Sequence, residues 1–295
     1  MTQASLFETG AGENRAKPKP FVKWAGGKRQ LLRELKKHVP RDMRRYHEPF
    51  VGGAALFFDL FGTSHGRARS SAVLSDKNER LVRTYRAVRH SPEVVIARLR
   101  CYPNTRDFFL HMRDEKDPEK LDDAELAAWF IYLNKTCFNG LYRVNRSDRF
   151  NVPFGDHKAP VICDAENLLA CSAALNRSGA CIEHEDFREA LGRGSVEEDF
   201  FYFDPPYVPR SPTASFKSYQ PGGFSSKDQA DLRDVARELV RRGAFVLLSN
   251  SDTEEARALY GGEPFVCHGV RARRPINSKA GARGLVSELL IVGRR

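Results

Sequence analysis

The 295-residue sequence predicts an α/β fold: one open sheet with helices on both faces, interrupted by a mainly helical insert that carries a β-hairpin. Three observations predict it. YHEPFVGGAALFF runs from a strand end through a glycine turn into a helix, and SAVLSD, Ser71–Asp76, is a short apolar strand ending in an acid. The same pattern returns late, where the aromatic strand Phe200–Phe203 ends in Asp204 and AFVLLS, Ala244–Ser249, forms a buried strand. Between them the composition changes to a helix, DDAELAAWFIYLNK, followed by TCFNGLYRVNRSDRFNVPFG, whose Asn, Gly, Arg and aromatic residues suit a hairpin rather than a sheet core.

Taken in order, residues 1–20 are polar and end in KPKP, which suits a flexible tail, so the fold is expected to begin at Phe21. Leu31, Leu32 and Leu35 fit one helical face, stopped by Pro40, and Leu81, Val82, Tyr85 and Val88 mark another helix. Asp122 and Glu125 form a capping box, and a second is expected at Ser226 and Gln229. Leu232, Val235, Ala236, Leu239 and Val240 supply the buried face of that second helix, and Gly243 stops it. There is no internal repeat. The sheet domain therefore takes residues 21–80 and 165–295, and the insert takes 81–164.

The formal net charge of +10 favours a polyanionic partner, most often nucleic acid. No apolar run reaches the roughly 18 residues of a membrane helix, and the N-terminus lacks a secretory signal, so a cytoplasmic, non-membrane protein is expected. Six scattered cysteines form no C-x-x-C pair, which suits reduced buried thiols and no metal site. Gly27-Lys28 suggests a phosphate loop, but Arg29 follows the lysine and Val22 stands where the first glycine belongs, which argues against ATP.

FYFDPPYVP, Phe201–Pro209, is the most specific feature. The strand end places Asp204 at the carboxyl edge of the sheet, where α/β ligands bind. Pro205 and Pro206 stiffen the turn and remove two amide donors, so carbonyl acceptors are expected to face the site. Tyr207 adds a flat ring. Carboxylate, carbonyl and ring together suit a planar base with an exocyclic amine.

DPPY, preceded in this order by FVKWAGGK and EPFVGG, resembles the adenine-N6 DNA methyltransferases of the Dam and DpnM type, the alpha class, over roughly Phe21 to Val292. The resemblance implies a Rossmann-like sheet that binds S-adenosyl-L-methionine, with double-stranded DNA as substrate. Asp204 and the Pro205 carbonyl would accept hydrogen bonds from the two amine protons of a flipped-out adenine, with Tyr207 stacked on it. Trp24, Lys28, Phe50, Gly52, Asp76 and Asp204 would hold the cofactor, Lys28 at its carboxylate and Asp76 at its ribose, with Asp186 and Phe187 beside its adenine. The family turn is F-x-G-x-G, and here its fifth place is Ala54.

NKTCFNGLYRVN, Asn134–Asn145, resembles the hairpin with which Dam enzymes read GATC. The match assigns Phe138 to intercalation, Asn139 to the orphaned base, Leu141 and Arg143 to base reading, Pro153 to a thymine methyl and Lys23 to the first base pair. Arginine suits guanine because it reaches O6 and N7 together. RARRPINSKAGARG, Arg271–Gly284, is expected to meet phosphates. Gln3–Phe7 resembles the peptide with which proteins bind the replication sliding clamp. The resemblance further implies a monomer of bacterial or phage origin. Two other readings, a methyltransferase for RNA or a protein amide and a catalytically silent DNA-binding relative, are opposed by Asp at 204 and by intact Tyr207, Gly52 and Asp76.

Overall fold

The computed structural model describes residues 17–63, 70–208, 224–273 and 285–295. Among them, strands β1 (Arg45–Glu48), β2 (Ser71–Asp76), β3 (Cys181–His184), β4 (Phe200–Phe203), β5 (Phe245–Ser251), β6 (Phe265–Arg273) and β7 (Leu285–Gly293) form one sheet, ordered β3-β2-β1-β4-β5-β7-β6. The first five strands pair in parallel, and β7 lies antiparallel between β5 and β6. The chain works outward from β1 in one direction and from β4 in the other. A crevice therefore opens at the carboxyl ends of these two neighbours, where open α/β sheets bind their ligands.

The helices are α1 (Leu32–Leu35), α2 (Ala55–Phe61), α3 (Glu79–His90), α4 (Pro92–Arg100), α5 (Arg106–Leu110), α6 (Asp123–Thr136), α7 (Ala165–Arg177), α8 (Ser226–Arg241) and α9 (Glu254–Leu259). They cover both faces, as β4 makes plain. All four of its side chains are buried. Phe200 and Tyr202 join a core with Tyr46, Leu74 and the helices before β3, whereas Phe201 and Phe203 join a second core with Leu232, Leu239 and Ala256 from α8 and α9. A strand buried on both faces reads as a continuous apolar run.

Trp129 and Phe130 of α6 share the first core with Tyr46 and Leu74, so the helical segment and the sheet are packed as one body. Helix α3 begins at Glu79, ahead of the boundary expected at 81, and packs on β2, β3 and α6 at once. The hairpin is irregular. Its pairing consists of two antiparallel bridges, Cys137–Phe154 and Val144–Phe150, around a 3-10 turn at Phe138–Gly140. Asn139 and Gly140 both have positive φ, which ends regular ladder pairing there.

Two expectations need correcting. The polar composition of residues 1–20 suits a tail, but Lys17–Pro20 are part of the packed structure. Lys17 pairs with Asp59 at 2.6 Å, and the Lys19 backbone exchanges hydrogen bonds with the Asn167 side chain at 2.8 and 3.0 Å. The second capping box lies one residue earlier than expected, at Ser225 and Asp228, because Ser225 has the extended backbone of an N-cap (φ −83°, ψ 169°). Ser225→Ala should therefore cost about 1 kcal/mol and lower Tm by about 2–4 °C, with Ser226→Ala close to neutral. Thermal unfolding of the two variants checks this; the reverse ranking would return the cap to Ser226.

Candidate active site

The glycine turn follows β1 and the proline turn follows β4, so strand order alone brings both to the crevice. In the first turn, the Gly52 amide donates to Asp76 Oδ2 (3.2 Å), and its carbonyl accepts from the Tyr85 hydroxyl (3.0 Å). The Trp24 ring lies so close that a Cβ on Gly52 would come within 2.6 Å of Trp24 Cδ1. That ring stacks in turn on Tyr142, with centroids 5.6 Å apart. Ala54 adopts the left-handed conformation (φ 52°, ψ 40°), so the turn keeps a glycine-like path despite its alanine.

Asp76, at the end of β2, takes the Gly52 amide on one oxygen and the Asn78 amide on the other (3.0 Å). Burial pushes its carboxyl up to about 6, against the pull of these amides. Phe50 stacks on Phe187 at 5.5 Å, and Phe224 completes a three-ring cluster at 5.8 and 5.7 Å from them. Asp186 is engaged by Arg188, which donates to it from Nη1 (2.8 Å) and from its backbone amide (3.1 Å).

In the second turn, Asp204 meets Lys28. The ammonium is 2.8 Å from Asp204 Oδ1, donates to the Gly26 carbonyl (2.5 Å) and sits 4.7 Å from the centre of the Tyr207 ring. Oδ1 is shielded from solvent and receives no aligned hydrogen bond, since the ammonium approaches off the bonding line. It is a buried acceptor with capacity to spare. Burial raises the Asp204 carboxyl above its ordinary value, and Lys28 opposes that rise.

The rest of the turn is held from outside. The Pro206 carbonyl accepts from Gln229 Nε2 (2.8 Å), and the Val208 amide donates to Asn250 Oδ1 (3.0 Å). Asn250 Nδ2 donates to Gln229 Oε1 (3.1 Å), which ties the two supports together. Of the carbonyl acceptors expected around the two prolines, that of Pro206 is thus already engaged in bracing the turn. The Tyr207 hydroxyl donates to Glu288 Oε2 (3.0 Å) on β7. The sequence does not reveal the bracing role of Gln229, which it marks only as a helix-cap partner, or the roles of Asn250 and Glu288. Asn250 had a signal, a polar residue ending the apolar run AFVLLS, whereas Glu288 sits in SELLIV with nothing local to mark it.

On the hairpin, Phe138 is 50% exposed, an unusual position for a large apolar ring. Its amide donates to the Pro153 carbonyl (2.9 Å), which brings these two expected DNA contacts together. Asn139, Arg143 and Pro153 are exposed and Leu141 is half-buried. The Arg143 guanidinium donates to Asn151 Oδ1 (2.7 Å) and to the Asn151 carbonyl (3.1 Å). Lys23 is exposed, and its side chain crosses Gly140. The clamp-like Gln3–Phe7 and residues 274–284 of the basic loop lie outside the described residues.

A seven-stranded sheet of this order, with an Asp-Pro-Pro-Tyr turn and a glycine turn meeting at its crevice, defines an α/β methyltransferase. The family model for D12 class N6 adenine-specific DNA methyltransferases matches residues 24–276, and the chain belongs to that family. A Type II methyltransferase of Lactococcus lactis subsp. cremoris is 39% identical over 284 residues, covering 95% of this chain and 96% of the relative. The DNA adenine methylase of Escherichia coli is 36% identical over 278 residues, covering 93% and 95%. The methylase of the same name from Vibrio cholerae is 35% identical over 281 residues, again covering 93% and 95%. The expected resemblance is borne out. Among the described residues, no helix is long and apolar enough to cross a membrane.

Proposed function

We propose that the chain transfers a methyl group from S-adenosyl-L-methionine to N6 of a flipped-out adenine within GATC in double-stranded DNA. The buried Asp204 Oδ1 carries this reading, being an acceptor without an aligned hydrogen bond at the crevice where both turns converge. The adenine amine is a weak nucleophile because its lone pair is delocalised into the ring. Asp204 Oδ1 and the Pro205 carbonyl accept hydrogen bonds from its two N–H groups, which turns the lone pair out of the ring plane. Tyr207 stacks on the flipped base, its hydroxyl fixed by Glu288. Fixed acceptors aimed at developing positive charge contribute about 10²–10³ in rate for one group, and correct placement of the two reactants adds to this.

The residues around the crevice fit S-adenosylmethionine, which supplies an electrophilic methyl group on a sulfonium. The rings of Phe50, Phe187 and Phe224 suit its adenine, Asp76 its ribose hydroxyls, and Lys28 its carboxylate. Trp24 walls the pocket beside Gly52.

DNA reading falls to the hairpin and Lys23. Phe138 is the apolar wedge, Asn139 meets the orphaned base, Leu141 and Arg143 read base edges, Pro153 meets a thymine methyl, and Lys23 meets the first base pair. The net charge of +10 suits the duplex backbone. The enzyme acts as a monomer in the cytoplasm, with residues 81–164 providing target recognition and Gln3–Phe7 serving as a motif for a sliding clamp. A cell overexpressing the chain should yield genomic DNA that resists a nuclease blocked by adenine methylation at GATC. Full digestion of that DNA, with label incorporated at another sequence, would overturn the GATC assignment and leave methyl transfer standing.

A further inference from the structure

We propose that Asn134 is a positioning residue for sequence discrimination: it ties the DNA-facing Lys23 and the hairpin turn into one register. Asn134 stands near the end of α6 and is 1% exposed. Its Oδ1 accepts from the Lys23 amide (2.7 Å), and its Nδ2 donates both to the Lys23 carbonyl (2.9 Å) and to the Gly140 carbonyl (3.1 Å). One buried side chain thereby occupies both backbone groups of Lys23 and one carbonyl of the reading turn. Lys23 lies 111 positions away in sequence and Gly140 six, so nothing local would hold the two segments together.

The chemistry demands an amide. An amide side chain presents one acceptor and two donors, which is what a backbone amide and two carbonyls require. A carboxylate would face the two carbonyls without a proton to give, and an apolar residue would remove the side-chain partner of the buried Gly140 carbonyl and of both part-buried Lys23 backbone groups. The contact is tight on the far side as well. Gly140 has φ +64°, and a Cβ there would fall within 2.3 Å of Lys23 Cδ, so the lysine stem lies directly across the turn. Trp24, the next residue, stacks on Tyr142 two positions beyond Gly140. Asn134 therefore fixes the start of the lysine side chain relative to the turn that carries Phe138 and Asn139. None of its hydrogen bonds reaches Asp204 or Tyr207, so its removal should disturb reading more than transfer.

This rests on the proposed role of Lys23 and the hairpin in reading DNA, and the test separates the two. Asn134→Ala, Asn134→Asp, Lys23→Ala and the Asn134→Ala/Lys23→Ala pair are assayed on the duplex that the wild type methylates best and on duplexes altered at the first base pair of that site. Tm is measured for each variant. Asn134→Ala should reduce the kcat/KM ratio between preferred and altered duplexes about tenfold, the scale of one base contact, with a smaller change in kcat on the preferred duplex. In the Lys23→Ala background it should reduce the ratio no further. Asn134→Asp serves the same purpose if the alanine variant does not fold. A lowered Tm with an unchanged ratio overturns the proposal and leaves Asn134 a structural residue, as does an effect that adds fully to that of Lys23→Ala. If Lys23→Ala itself leaves every ratio unchanged, the reading role of Lys23 falls, and the proposal falls with it.

Discussion

Asp204→Asn should lower the single-turnover rate of methyl transfer by about 10²–10³ while duplex binding is retained. The substitution is nearly isosteric, so the turn braced by Gln229 and Asn250 stays in place. What it removes is the charge on the buried acceptor proposed to face the amine as its nitrogen becomes positive. The same carboxylate should set the lower pH limit of activity. Burial raises its protonation point above its ordinary value, and only the ionised form both pairs with the Lys28 ammonium and presents a negatively charged acceptor to the amine. Transfer should therefore rise with pH through that raised value, and the rise should be absent in the asparagine variant. A transfer rate within tenfold of wild type under saturating DNA and donor would remove Asp204 from the chemistry.

Gly52→Val should both destabilise the chain and abolish measurable donor binding. Gly52 has φ +43°, a conformation that costs a residue with a Cβ about 1–2 kcal/mol and a β-branched residue more. The added Cβ would also lie 2.6 Å from Trp24 Cδ1. Trp24 is packed against Tyr142 and Phe130, so the ring has little room to retreat. Nor can Gly52 move easily, since its amide is held by Asp76 and its carbonyl by Tyr85. Overpacking of this kind adds about 1–3 kcal/mol. Thermal unfolding and calorimetric titration with S-adenosylmethionine check both effects, and Gly52→Ala should fall between wild type and Val. Wild-type Tm and donor affinity in the valine variant would show that the tight approach of Trp24 does not matter.

Ala54 shows how far a motif can be trusted. It stands where F-x-G-x-G has its last glycine, yet its backbone is left-handed (φ 52°) as a glycine's could be. The tight turn from β1 into α2 imposes that conformation, and the buried methyl stays within the core at 1% exposure. The capping box shows the opposite limit. Ser225 and Ser226 are adjacent, each followed three positions later by a residue able to accept from its backbone amide, and only the backbone conformation chooses between them. Gln229, the partner that the wrong register selected, is instead buried and braces Pro206.

What the sequence determined by itself is what short stretches of chain encode. Strand ends, glycine and proline turns, the α6 capping box and an acid placed directly after an aromatic strand follow from side-chain chemistry within a few residues. They were enough to indicate the fold class, the order of the motifs and the family. The tertiary structure alone decided which distant groups meet. Lys28 reaches Asp204, Glu288 on the antiparallel β7 takes the Tyr207 hydroxyl, and Asn134 joins Lys23 to Gly140. The physical reason is that such contacts arise from sheet order and shared core packing, which bring remote segments together at the cost of loop closure. A lysine, a glutamate or an asparagine has no local pattern that names its partner, and only the packed chain supplies it.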